Sequence, residues 1–171
     1  MNLLDRTRPA PYAISNGTDS RDPDAYLLVL KQFGFDTEAR YQPGSGNTYC
    51  NIAMWDASRA LACEVPHWWI RSDMTYGQQE ETINASIDWL TSMGGDYGWL
   101  NAGSLSAAML TAQAGQPTLV TWKNPSGHGH VAWLLPDGSL AQAGAKCGYG
   151  IPMSQVFTPA MMLELQFFAH A

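Results

Sequence analysis

The stretch GNTYCNIAMWDAS places one cysteine, Cys50, where turn-forming residues give way to an apolar helical pattern. A thiol at a helix N-terminus feels the partial positive charge of the first-turn amides, which favours thiolate, and the same amides can stabilise an oxyanion formed later. Such a sulfur needs a base. The histidines are His67, His128, His130 and His170. His130 opens the run HVAWLL directly after the glycine-rich turn NPSGHG, so a strand starting there projects it from a rigid sheet edge toward a helix terminus. His128 is the rival, sharing the parity of His130 on a strand extended backward, although Gly127 and Gly129 make its position more loop-like. Two plainer chemistries compete. A small buried apolar residue is the ordinary fate of a free cysteine. A zinc site from Cys50, His128, His130 and Cys147 lacks compact ligand spacing, so neither a metal nor another cofactor is expected.

The elements that must position these groups follow from periodicity. DPDAYLLVLKQFGF predicts a first helix with Asp22 as cap, Pro23 in the first turn and Gly34 at the end. A second helix is expected from Cys50 to Cys63, with Thr48 capping the amides of Cys50 and Asn51. Its apolar stripe is Cys50, Ala53, Met54, Ala57, Ala60 and Leu61, with Asn51, Asp56, Ser58 and Arg59 off it. VPHWWIRSDM reads as an aromatic loop, ETINASIDWLTSMGG as a third helix stopped by glycines, and AGSLSAAMLTAQAG as a short fourth. The pattern then changes to strands at PTLVTW, HVAWLL and LAQAGA, with FTPAMMLELQFFAH as a final strand or packed segment. Helices first and antiparallel strands afterwards predict an α+β fold, N-terminal helices packed on a C-terminal sheet.

The 171 residues suit a single domain spanning 1–171, and 46% hydrophobic with 14% charged residues argues for a packed core. A net charge of −6 with no basic run excludes a nucleic-acid partner. No segment approaches the apolar length of a membrane span, so no membrane insertion is expected. MNLLDRTRPAPY lacks the apolar stretch of a signal peptide, which predicts synthesis in the cytoplasm and delivery by other means. Three cysteines with no CxxC spacing make a disulfide framework unexpected, leaving a Cys63 to Cys147 bridge as the one conceivable pair.

RYQPGSGNTYCNIAMWDASRALACEVPHWW resembles the start of papain-like, CHAP-type cell-wall amidases and endopeptidases, a group common in phage lysins and bacterial lytic proteins. INASIDWL, GWLNAGS, QPTLVTWKNPSGHGHVAWLLPDG and AQAGA continue the resemblance in the same order, over about Tyr41 to Ala145. The resemblance implies a papain-like fold in which a cysteine-bearing helix packs against a histidine-bearing antiparallel sheet. Carried onto this chain, it makes Cys50 the nucleophile, His130 the proton shuttle and a polar residue on the following strand, nearest Gln142, the group that orients the imidazole. A tight DGS turn opposing Pro136 and Leu140 would set Gln142 across from Leu134, and Lys146 or its neighbours across from His130, so Gln142 would need a bulge. The family often has an asparagine a few residues after QAG, where this chain has Cys147.

A second oxyanion donor, besides the Cys50 amide, is sought among Gln42, Asn47 and Tyr49. His67, Trp68 and Trp69 are candidates for the substrate groove, against the equal expectation of hydrophobic packing under a loop. The implied activity is cysteine-dependent hydrolysis of an amide bond in bacterial peptidoglycan, between muramic acid and L-alanine or within the stem peptide. A noncatalytic wall-binding or structural module of a phage particle or secretion machine is the alternative, and a protein acyltransferase or deamidase is a further rival. Action in the periplasm or cell wall follows, after holin-assisted release of an endolysin or injection of an antibacterial effector, the latter with an immunity protein as partner.

Overall fold

In a computed structural model, which describes residues 5–70 and 76–171, five helices and eight strands form an α+β fold. Helix α1, Pro23–Gln32, begins as its sequence dictates: the Asp22 carboxylate accepts from the Ala25 amide at 2.7 Å, and Gly34 follows at φ +58°. The second helix, α2, spans Cys50–Ala60 and stops short of Cys63. Ala62 takes a left-handed φ of +51° and the Cys63 amide folds back on the Ser58 carbonyl, closing the helix early. Thr82 and Ser104 cap α3, Ile83–Ser92, and α4, Leu105–Gln113, through the amides of Ala85 and Ala107. A single turn, α5, covers Pro159–Met162.

The expected aromatic loop instead contains a strand: β1, Trp68–Ile70, pairs with β2, Tyr76–Glu80, in a separate antiparallel ribbon. Residues 71–74 of that loop lie outside the described residues. The main sheet is fully antiparallel. It comprises β3 (Trp99–Asn101), β4 (Thr118–Trp122), β5 (His130–Leu134), β6 (Leu140–Ala143), β7 (Cys147–Ile151) and β8 (Gln166–His170), in the order β3-β8-β4-β5-β6-β7.

Alternation sorts the sheet into two cores. Val131, Trp133, Ala141 and Ala143 face α1, α2 and α3, in a cluster with Tyr26, Leu30, Cys50, Met54 and Ile87. Ala132, Leu134 and Leu140 face the other way, toward Ala108 of α4 and toward Met153 and Phe157. The predicted stripe of α2 is buried throughout, but so are Asp56 and Ser58, which its period sets off the stripe. A second layer covers that side. Arg40 donates to both Asp56 oxygens, at 2.7 and 3.1 Å, the Tyr41 hydroxyl donates at 2.9 Å and the Ala10 amide at 2.8 Å. Burial beside the Asp56 carboxylate pushes the Tyr41 hydroxyl far above its ordinary range. The three cysteines are free.

Candidate active site

Cys50 is the first residue of α2, and in the turn before it the backbones of Gly44 and Asn47 hydrogen-bond to each other while Ser45 and Gly46 between them take positive φ. The helix cap is Tyr49, not Thr48, and no side chain satisfies the first-turn amides. That absence matters because orphan amides at a helix start are donors in search of an anion. The sulfur lies close to them: the amides of Asn51 and Cys50, the Thr48 hydroxyl and the Val131 amide across the helix-to-sheet junction all favour its thiolate. Cys50 is nevertheless only 5% exposed. Desolvation outweighs the donors and pushes the thiol up to about 11, so the resting group is a thiol and the expected thiolate is not the resting form.

Cys50 forms part of the wall of a cleft of about 400 Å³. Gly46 to Asn51, Glu80 to Ile83, His128 and Gly129 line it. Toward the sheet, Cys50 meets residues 131–133 and 141–143 at a narrow void between β5 and β6.

His130 and Gln142 meet across those two strands, with Nε2 2.5 Å from Oε1. The hairpin explains how. Its loop is Pro136–Asp137–Gly138, closed by the Leu135 amide on the Ser139 carbonyl and by Gly138 at φ +83°, and Leu134 pairs with Leu140. The turn therefore sits one residue earlier than the sequence reading has it. Continued along the strands, the observed register sets Ala132 opposite Gln142 and Gly144 opposite His130, a diagonal that brings the two polar side chains together without a bulge between β5 and β6. A Cβ on Gly144 would lie 2.9 Å from His130 Cε1, so the missing side chain is what admits the imidazole. Gly144 was legible only as a glycine within a strand-like run, a pattern that marks close approach.

The Gln142 amide is itself fixed, its Nε2 donating to the Lys146 carbonyl at 2.9 Å. Its Oε1 therefore accepts from His130 Nε2–H, which leaves Nδ1 of the neutral ring as the basic nitrogen. Burial holds the imidazole below its ordinary pKa, against the upward pull of Gln142. By alternation His130 and Gln142 belong to the face carrying Phe157, whose ring centroid is 5.7 Å from that of His130, whereas Cys50 packs on the other face. No hydrogen bond joins the Cys50 thiol to His130. The amide of the next residue, Val131, lies close enough to the thiol to favour its thiolate.

The remaining candidates separate cleanly. Gln42 does not line the cleft, and its amide donates to the Phe35 carbonyl at 2.9 Å. Tyr49 and Asn47 line the cleft, and the Tyr49 ring carries the Arg6 guanidinium 3.5 Å from its centroid. His67 and Trp68 do not line it. His67 is 3% exposed and stacks on Trp55 at 4.2 Å, with Trp68 edge-on to both, so the packing expectation for these two is the one observed. The Trp69 side chain lies outside the described residues. The cleft wall that sequence reasoning missed is Glu80, Glu81 and Thr82, which no motif flagged.

Compared with models of known families and with curated protein sequences, the chain matches none.

Proposed function

We propose that the protein is a papain-like cysteine hydrolase that cleaves an amide bond of bacterial peptidoglycan. The observation that carries the reading is the place of Cys50, at the start of α2 and on the wall of a cleft, with backbone amides of two elements favouring its thiolate. Nδ1 of His130 takes the thiol proton as the sulfur attacks the carbonyl carbon, and the amides of Cys50 and Asn51 receive the developing oxyanion. The C–N bond then breaks while the imidazolium protonates the departing amine. Water, deprotonated by the same imidazole, opens the thioester and returns the thiol. This chemistry requires Sγ and Nδ1, which belong to opposite faces of the sheet, to come within hydrogen-bond reach once substrate is seated. The choice of peptidoglycan rests on the resemblance of RYQPGSGNTYCN and GHVAWLL to cell-wall amidases.

Purified peptidoglycan incubated with wild-type protein and with Cys50→Ala tests the reading, the products being identified by mass. New amine and carboxylate termini are expected from the wild type only, and identical products from both proteins would end it. A noncatalytic wall-binding module is the second reading, favoured by the absence of a hydrogen bond between the thiol and His130 and by the neutral resting state of both. It predicts wall binding without turnover.

A further inference from the structure

The cleft at Cys50 has an acidic stretch in its described wall, and the Arg6 guanidinium lies over the ring of Tyr49, which also lines it. Among the described residues its wall carries two carboxylates, Glu80 and Glu81, and no lysine or arginine. Glu80 accepts from Asn51 Nδ2 at 2.6 Å, which turns its Oε1 toward the start of α2. Behind it lies His67, whose buried Nε2 has no hydrogen-bond partner and stands 3.6 Å from the same oxygen. Burial keeps that imidazole neutral, with its pKa down to about 4, so His67 does not cancel the Glu80 charge. Glu81 is held by its backbone, its amide donating to the His67 carbonyl at 2.8 Å and Thr82 beside it capping α3. Among the described residues no cation stands against its half-buried side chain, and burial raises its pKa. At the same cleft the start of α2, which has no side-chain cap, offers the complementary charge. A ligand that satisfies both has a carbonyl to direct at the amides and a positive group to direct at the carboxylates.

We propose that Glu80 and Glu81 form a subsite for a protonated primary amine of the substrate, so that the cleft selects peptides bearing a free ammonium group near the amide presented to Cys50. In a stem peptide, the side-chain amine of a diamino acid supplies such a group. The inference rests on the cleft being the substrate site of the hydrolase reading, and it adds the charge of the substrate.

The test uses two muramoyl stem peptides containing lysine, identical except that the ε-amine is free in one and acetylated in the other. With wild-type protein kcat/KM should favour the free amine by about tenfold, and Glu81→Gln should reduce that preference to about twofold, mainly through KM. Calorimetric binding to Cys50→Ala protein should show the same preference, weakening as salt is raised. Equal cleavage and equal binding of the two peptides would overturn the subsite, as would an undiminished preference in Glu80→Gln/Glu81→Gln. If the wild type cleaves neither peptide, binding alone decides. A preference of Cys50→Ala protein for the free amine then upholds the subsite while the hydrolase reading falls, and no preference removes the subsite.

Discussion

Nε2 of His130 lies 2.5 Å from Oε1 of Gln142, and Nε2 of Gln142 donates in turn to the Lys146 carbonyl. The chain of two bonds fixes the imidazole tautomer from the backbone outward. Gln142→Leu removes the acceptor at similar volume, freeing the ring to hold its proton on either nitrogen. Turnover of peptidoglycan fragments should fall on the order of tenfold to a hundredfold in kcat, with KM little changed. Unchanged kcat in steady-state assays would show that the pair is structural only.

Gly144 supplies a second, steric test of the same geometry. Its φ is not in the left-handed region, so alanine carries no backbone strain there, yet the added Cβ would press on Cε1 of His130 at 2.9 Å and on Oε1 of Gln142 at 3.3 Å. Gly144→Ala should therefore displace the imidazole and depress kcat at least as much as Gln142→Leu, while costing about 1–3 kcal/mol of stability from overpacking. An NMR spectrum in which the His130 ring resonances do not move would contradict the crowding argument.

Much of this site was readable before the fold was known, for identifiable reasons. Asp22, Pro23 and Gly34 announce α1 through local chemistry, and the start of HVAWLL announces His130 because a glycine-rich turn gives way to apolar residues there. What failed was anything that depends on a second layer. Asp56 lies off the apolar stripe of α2, yet Arg40, Tyr41 and Ala10 bury it. The Cys50 thiol has the donors its helix position predicts, but the desolvation that outweighs them comes from the sheet packed against it. The register of Gln142 turned on a single residue of turn placement, since a slip of one in the loop moves the partner by two. β7, with the sequence CGYGI and two glycines at positive φ, carries little strand signal, and β3 is only three residues long.

The raised thiol makes a kinetic statement. With a pKa of about 11, only about one Cys50 in ten thousand is thiolate at pH 7. Iodoacetamide labelling of the Cys50 peptide, followed by mass spectrometry, should accelerate about tenfold per pH unit from neutrality and level off near pH 11. Thr48→Val removes a hydroxyl that stabilises the charged sulfur, and should shift the plateau higher. A plateau below pH 8 would mean that the sulfur is far better solvated or paired than its surroundings indicate.

Acid stability should report His67. Its pKa falls from 6.5 to about 4 because burial against Trp55 and Trp68 disfavours the cation and Arg40 adds repulsion. The unfolded chain takes up the proton as pH drops below about 6.5, whereas the native protein resists until about 4. The contribution is thus fully present above pH 6.5 and is lost on acidification, amounting to about 3 kcal/mol across that window. His130 and His170, also depressed mainly by burial, add to the same slope. His67→Phe keeps an aromatic ring on Trp55 and removes the proton site, so urea unfolding at pH 7 and pH 4.5 should differ less than in the wild type. Parallel pH curves for the two proteins would assign the acid sensitivity elsewhere.

The ion pair of Arg40 and Asp56 ties stability to the entrance of the site. Asp56 is fully buried and receives four donors, while Arg40 also donates to the carbonyls of Asp5 at 2.8 Å and Arg8 at 2.7 Å. The N-terminal segment is thereby strapped across α2, and Arg6, held by the carbonyls of Ala39 and Arg40, rests on the ring of Tyr49 immediately before the nucleophile. Asp56→Ala leaves a buried guanidinium facing unpaired Tyr41 and Ala10 donors, and should cost about 3–5 kcal/mol in denaturant unfolding. Loss of the Ala10 contact also frees part of the strap, so limited proteolysis should cut within residues 5–15 well before global unfolding. Arg6→Ala separates the two effects, because it removes the contact with Tyr49 and leaves the buried pair intact. It should change stability by less than about 1 kcal/mol, and a larger loss would mean that the strap, rather than the buried pair, secures the start of α2.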